Sequence, residues 1–332
     1  MTGNDRAGAD RRALLLAGLG AACISASAIL VKLAGTGAAT TAFYRCLLAL
    51  PLLGALAVAE QRRRGPRPLA VRGGAIVAGL LLAVDLVLWN HAIAEVGAGI
   101  ATVLGNLQVL FVALAAWVLF GEPPGRRFLI ALPVVLAGVV LVGVMLVSGL
   151  VGATQRGLHP LAGIEYGIGT SIAYACFLLI LRQATSGAAH VAGPLAEATL
   201  GCTVGAVLLG LAFGGLQLHI PWPSFGWLLL LSVTSQTIGW LLITSSLPRL
   251  PAAISSLTLL LQPAAAMCLA AIVLSERPTV IQIAGAVVVC TGVLTVSLTA
   301  SSPRRERPSG SPRGRASEDA APVPRTSLAS AP

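Results

Sequence analysis

Four apolar runs dominate the chain: Ala13–Ala34, Gly73–Leu88, Gly97–Phe120 and Val280–Ala300, each with at most one or two charges. A helix needs about 20 such residues to cross the hydrocarbon core of a bilayer. Backbone polar groups in lipid also have to be satisfied within the protein, which favours helices. Only 10% of the 332 residues are charged and 56% are hydrophobic, against roughly 25% charged in an average soluble domain. That supply of charge cannot cover a water-facing surface, and a disordered chain would be far more polar. The chain therefore reads as an all-α integral membrane protein. Its spans fall near 12–34, 38–59, 73–93, 97–120, 128–148, 161–182, 190–213, 223–246, 251–274 and 279–299. Ten transmembrane helices return both termini to one side of the lipid bilayer.

The placement of charge orients them. The formal net charge is +10, which taken alone suits a nucleic-acid partner. The basic residues, however, sit between spans and in the tails. On one side lie Arg6, Arg11, Arg12, the cluster Arg62, Arg63, Arg64, Arg67 and Arg72, then Arg126, Arg127, Arg182, Arg249 and six arginines from Arg304 to Arg325. Only Arg156 and Arg277 fall in loops of the other side, with Lys32 and Arg45 inside spans. Excess Lys and Arg on cytoplasmic loops is the positive-inside pattern. It places the protein in the inner (plasma) membrane with cytoplasmic termini, and no nucleic acid is needed to explain the charge. Arg11-Arg12 before an apolar stretch resembles an export signal with a cleavage site at Ala26-Ser27-Ala28. The stretch is too long for a signal core, so it is expected to be retained as the first span. After Ser301 the sequence is rich in Pro, Ser and Arg without apolar periodicity, as in a disordered tail.

An internal repeat organises the middle. At an offset of 154, Gly97-Ala98-Gly99-Ile100 falls on Pro251-Ala252-Ala253-Ile254, Leu107-Gln108 on Leu261-Gln262, Glu122 on Glu276 and Pro124 on Pro278. The Gln and Glu matches weigh most, because such residues are uncommon in lipid. The expected domains are a cytoplasmic N-terminal tail 1–11, a first five-helix repeat 12–148, a second 161–300 and a cytoplasmic tail 301–332. An odd number of spans per repeat inserts the second one upside down, and secondary transporters use such inverted repeats to alternate access to a central site. The segments His91–Ala98, Gln108–Val112, Gly121-Glu122, Leu250–Ala253, Gln262-Pro263 and Ser275-Glu276 resemble those of the drug/metabolite transporter superfamily, EamA-type. The resemblance covers roughly residues 12–300. It departs at Val109, where such proteins usually have Pro, and at Ser275, where Gly usually precedes the Glu.

Ionisable and amide groups inside spans mark the candidate site. Counting from span ends at 1.5 Å per residue puts Arg45 about 10 Å and Asp85 about 12 Å from the outer side. At matched depths they either face a shared outer-half cavity, paired when it is empty and with Arg45 able to hold a substrate carboxylate bidentately, or form a permanent ion pair that fixes packing. Trp89, one turn from Asp85, is an apolar wall or a packing residue. Gln108 and Gln262 are expected to line the pathway with Ser255, since Pro263 frees a backbone carbonyl beside Gln262. Asn106, about 200° round a continuous helix from Gln108, is expected to face a neighbouring helix instead. Glu197 lies on a stripe with Gly193, Gly201 and Gly205. Without a depth-matched cation in its own span, desolvation would favour its protonated form and suit proton coupling; hydration from the cytoplasm or a reach from Arg182 is the plainer alternative. Lys32, at the outer end of span 1, is expected to snorkel.

The four histidines have no metal-ligand spacing, Gly163–Gly169 has the wrong offsets for a dinucleotide fingerprint, and the six Cys never form a C-x-x-C. No enzyme motif, metal site or cofactor is therefore expected. The reading is a secondary transporter of a small metabolite or amino-acid-like solute, with export as the expected direction and proton coupling as an option. A translocator of lipid or lipid-linked sugar is the alternative, and a membrane-embedded enzyme a more distant one. Oligomeric state stays open, a homodimer included.

Overall fold

The computed structural model describes residues 15–16, 18–120, 159–185, 190–246 and 268–275, with isolated positions at 133, 137, 262, 265, 266, 280, 283, 284, 287, 288 and 291. The chain divides into a unit Met1–Ser301, which contains all of these, and a separate stretch Ser302–Pro332. Among the described residues the fold is helical. Helix α1 covers Gly18–Ala34, α2 Ala38–Arg64 and α3 Leu69–Val96; α4 covers Ala98–Gly105, α5 Gln108–Phe120 and α6 Pro160–Thr185; α7 covers Ala192–Phe213 and α8 Ser224–Ser245. Among the described residues, five segments are long and apolar enough to cross a membrane: α2, α3, most of α6, α7 and α8. The expected spans near 128–148, 251–274 and 279–299 lie largely outside the described residues.

Several helices are interrupted. Pro51 has no N–H to give the carbonyl of Leu47, and α2 breaks at Leu48–Ala49 before resuming at Leu50. Asn106 and Leu107 separate α4 from α5, their amides turning back to Val103 and Leu104 three residues earlier. In the middle of α8, Ser232–Gly239 is wound as a π-helix. Such wide turns concentrate at functional sites because they redirect side chains that an α-helix would place elsewhere.

Polar contacts define two ends of the bundle. At one end, Glu60 of α2 accepts the backbone N–H groups of Val191 (2.8 Å) and Gly193 (2.9 Å) at the start of α7. At the other, Thr40 near the start of α2 donates to the carbonyl of Gly215 just past α7 (2.8 Å), and Glu95 near the end of α3 accepts the N–H of His159 before α6 (2.8 Å). Gly20 lies against Gly239 and Ile243, so α1 begins where α8 ends. It follows that α1, α2 and α3 run opposite to α6, α7 and α8, respectively.

The core sits where α3 packs on α6 and α7. Its two buried clusters are built largely from Ala, Leu and Val, with Phe177 and Trp240 in one of them. The small-residue stripe of α7 brings helices together at backbone distance. A Cβ at Gly201 would meet the carbonyl of Ile76, one at Gly79 the carbonyl of Ala198, and one at Gly205 would lie 2.6 Å from the Cβ of Ala83. Membrane interfaces use small residues in this way because dispersion contacts, not water exclusion, drive helix association in lipid.

Candidate functional site

The α4–α5 break borders one cavity, to which residues close to the other two interruptions also contribute. Arg45 comes from α2, Asp85 and Trp89 from α3, Asn106 and Gln108 from the α4–α5 break, Tyr174 from α6, Trp240 from α8, and Gln262 from the second half. Five residues picked out by intramembrane polarity, Arg45, Asp85, Trp89, Gln108 and Gln262, thus share one wall-to-wall space. Ser255, predicted beside Gln262, lies outside the described residues. Asn106 corrects its expectation: it also lines the cavity. The 200° separation assumed a continuous helix, whereas the chain turns at Asn106–Leu107, and the Asn106 amide is held by the Thr102 carbonyl (2.8 Å).

Arg45 is 4% exposed and is fixed by neutral partners. Its Nε donates to Oε1 of Gln236 (2.9 Å) and its Nη1 to Oγ of Ser27 (2.9 Å). Asp85 is likewise 4% exposed. The ion pairs among the described residues are Arg64–Glu60, Arg67–Glu197 and Arg72–Glu197; Arg45 and Asp85, which line one cavity, do not form one. The expected direct Arg45–Asp85 pair is therefore replaced by two opposite charges that face one cavity without touching. In the lining of the same cavity the amide oxygen Oε1 of Gln108 is buried with no partner, an acceptor left for something the cavity would hold. Tyr174, Phe177 and Trp240 form an aromatic cluster at ring-centroid distances of 5.5 to 6.1 Å, which gives the charged wall a rigid apolar flank.

Gln236 was missed from the sequence. It is fully buried on the π-helical segment, and its Nε2 donates to Oγ1 of Thr199 on α7 (3.3 Å). The signal was present in the run Ser232-Val233-Thr234-Ser235-Gln236-Thr237, unusually polar for the middle of a span.

Glu197 stands apart from the cavity. Its Oε1 accepts from Nη2 of Arg67 (2.8 Å) and Nε of Arg72 (2.7 Å), while Oε2 is buried without a partner. The expectation of a carboxyl without a matched cation is corrected: two guanidiniums from the α2–α3 turn and the first turn of α3 reach it, while the side chain of Arg182 lies outside the described residues. No group of three or more His, Cys, Asp or Glu that could hold a metal occurs among the described residues. Lys32 is exposed in the last turn of α1.

The EamA-like transporter family matches residues 11–144 and again residues 161–298. A solved crystal structure, titled only as that of a protein, is 18% identical over 90% of this chain and 99% of its own, with a TM-score of 0.57; the likeness is one of fold. No curated protein matches. With two family repeats spanning most of its length and apolar helices long enough to cross the bilayer, the chain belongs to the EamA-like transporter family and is a multi-pass membrane transporter of small solutes.

Proposed function

We propose that the cavity binds a zwitterionic, amino-acid-like solute, with the carboxylate on Arg45 and the ammonium on Asp85 and the free oxygen of Gln108, and that the protein exports it by alternating access. The observation that carries this reading is the unpaired arrangement of Arg45 and Asp85. Two buried groups of opposite charge that line one cavity without pairing are complementary to a solute that carries both charges on a single carbon. A guanidinium suits a carboxylate because its fixed fork gives two parallel donors. The opposite directions of α1–α3 and α6–α8 support ten helices arranged as two inverted five-helix repeats, the design that lets one site face either side. Cytoplasmic termini in the inner membrane follow from the arginine asymmetry.

Purified protein in proteoliposomes is expected to catalyse counterflow of labelled L-leucine. Its analogues lacking one charge, 4-methylpentanoate and 3-methylbutylammonium, should each compete about tenfold less well or worse, the loss of one charged hydrogen bond. Equal competition by all three, or by a lipid analogue alone, would replace this reading with the lipid-translocator one.

A second reading concerns energy coupling. The unpartnered Oε2 of Glu197 is a place for a proton, and its protonation would loosen the hold of Arg67 and Arg72. Against this, both arginines and the glycine contacts at Gly79 and Gly201 act at the same α3–α7 seam, as a fastening would. Glu197→Gln separates the two. Under coupling, a pH gradient stops driving leucine while counterflow and melting temperature persist. Under fastening, the melting temperature falls and any remaining transport still responds to the gradient.

A further inference from the structure

Arg45 could have been given a carboxylate neighbour, which would hold it more strongly than any amide. Instead it has Gln236. The guanidinium can only donate, so the amide must turn its oxygen to Nε. Its NH2 group then points the other way, where Thr199 accepts it. Gln236 itself is 0% exposed and is shut off from the cavity by the arginine it holds. A chain Arg45–Gln236–Thr199 thus ties α2, α8 and α7 together, and Ser27 fixes a second nitrogen from α1. Every partner in this chain is neutral. The side chain is locked in place while its positive charge is left without a contacting anion.

We propose that Gln236 is the residue that sets the charge selectivity of the cavity: it positions Arg45 through a hydrogen bond to an uncharged amide and so keeps the guanidinium charge available for a carboxylate-bearing solute. This inference rests on the zwitterion reading above and deepens it. The π-helical turn is what makes the arrangement possible. It is on that segment that Ser232, Ser235, Gln236, Thr237 and Gly239 are all buried, and Ser235 anchors it to the carbonyl of Cys23 on α1 (2.9 Å). Gln236 is a positioning residue, since it reaches the solute only through Arg45.

The test uses Gln236→Glu and Gln236→Met in the full-length protein, with binding of labelled L-leucine and competition by 4-methylpentanoate and 3-methylbutylammonium. Gln236→Glu keeps the size and the hydrogen bond to Arg45 but neutralises its charge. Leucine affinity should fall about a hundredfold, as when a buried charge loses its availability, and the amine should now compete better than the acid. Gln236→Met keeps the volume and removes the acceptor. The acid should lose about tenfold, the worth of one charged hydrogen bond, while the amine is unchanged. The second variant carries the test if the first does not fold. A purely structural role predicts that both variants weaken all three probes alike, or none of them, and either result overturns the proposal. If wild type ranks the probes by charge and the variants keep that ranking, Gln236 loses its role and the zwitterion reading survives. If wild type does not rank them at all, both fall.

Discussion

Arg45→Leu is expected to reduce leucine binding at least about a hundredfold, because a carboxylate held by two charged hydrogen bonds at about 1.5–3 kcal/mol each loses both. The size of the effect follows from burial. At 4% exposure the guanidinium has little water to compete with, and water cannot take over its role when it is removed. The substitution also leaves Asp85 as a buried carboxylate in a cavity with no cationic side chain in its lining, and strands the acceptors on Ser27 and Gln236. Some loss of stability is therefore expected alongside the loss of binding, and the two must be told apart. Arg45→Lys does this. An ammonium keeps the charge opposite Asp85, so the fold and melting temperature should be close to wild type. It cannot satisfy Gln236, Ser27 and a carboxylate together in the geometry of a planar fork, and leucine affinity should lie between those of wild type and Arg45→Leu. Binding measured by scintillation proximity, with melting followed on the same samples, gives both quantities. Wild-type affinity in a folded Arg45→Leu protein would show that the arginine serves packing alone.

Much of this site was legible in the sequence because the bilayer makes polar residues conspicuous. Arg45 and Asp85 could be matched by depth, since a rise per residue and a span boundary suffice to place each along the membrane normal. Gln108 and Gln262 were marked by the repeat, and both border the cavity. What failed was rotation about the helix axis. Angular arithmetic placed Asn106 on the far side from Gln108, and it breaks down wherever the backbone leaves the 100° step, as it does at Asn106–Leu107. The same holds for Gln236 on the π-helical turn. Contacts reached from a connecting segment leave no periodic trace either, which is why Arg67 was not matched to Glu197. The two departures from the family resemblance have local explanations. Ser275 has φ of 54°, a left-handed conformation that glycine adopts without the Cβ penalty. Val109 is the second residue of α5, in the first turn, where proline is tolerated but a helix can begin without it.

The second large effect is expected at the α3–α7 seam. Gly79→Val should abolish recovery of folded protein from the membrane, while Gly54→Val, in the same bilayer and on the neighbouring helix α2, should leave yield and melting temperature unchanged. The contrast depends on what a new side chain meets. At Gly54 nothing lies within 4 Å of an added Cβ. At Gly79 the added atom would fall on the carbonyl of Ala198, and the facing Gly201 already abuts the carbonyl of Ile76. Neither obstacle is the end of a flexible side chain, so the helices themselves would have to part. Overpacking of a tight core typically costs about 1–3 kcal/mol, and more when backbone must shift. Here the shift would also disturb the contact of Arg72 with Oε1 of Glu197 (2.7 Å), but that arginine is half exposed, and such a pair adds only about 0–1 kcal/mol. The parting of two backbones therefore carries the effect, because it loosens the whole seam in a fold whose total stability is of the order of an ordinary domain's, about 5–15 kcal/mol. Gly79→Ala, adding only the Cβ, should fold poorly but measurably. Detergent extraction with size-exclusion chromatography, followed by thermal melting, ranks the variants. If Gly79→Val extracts and melts like Gly54→Val, α3 and α7 do not meet at backbone distance, and the packing that positions Asp85 opposite Arg45 has to be redrawn.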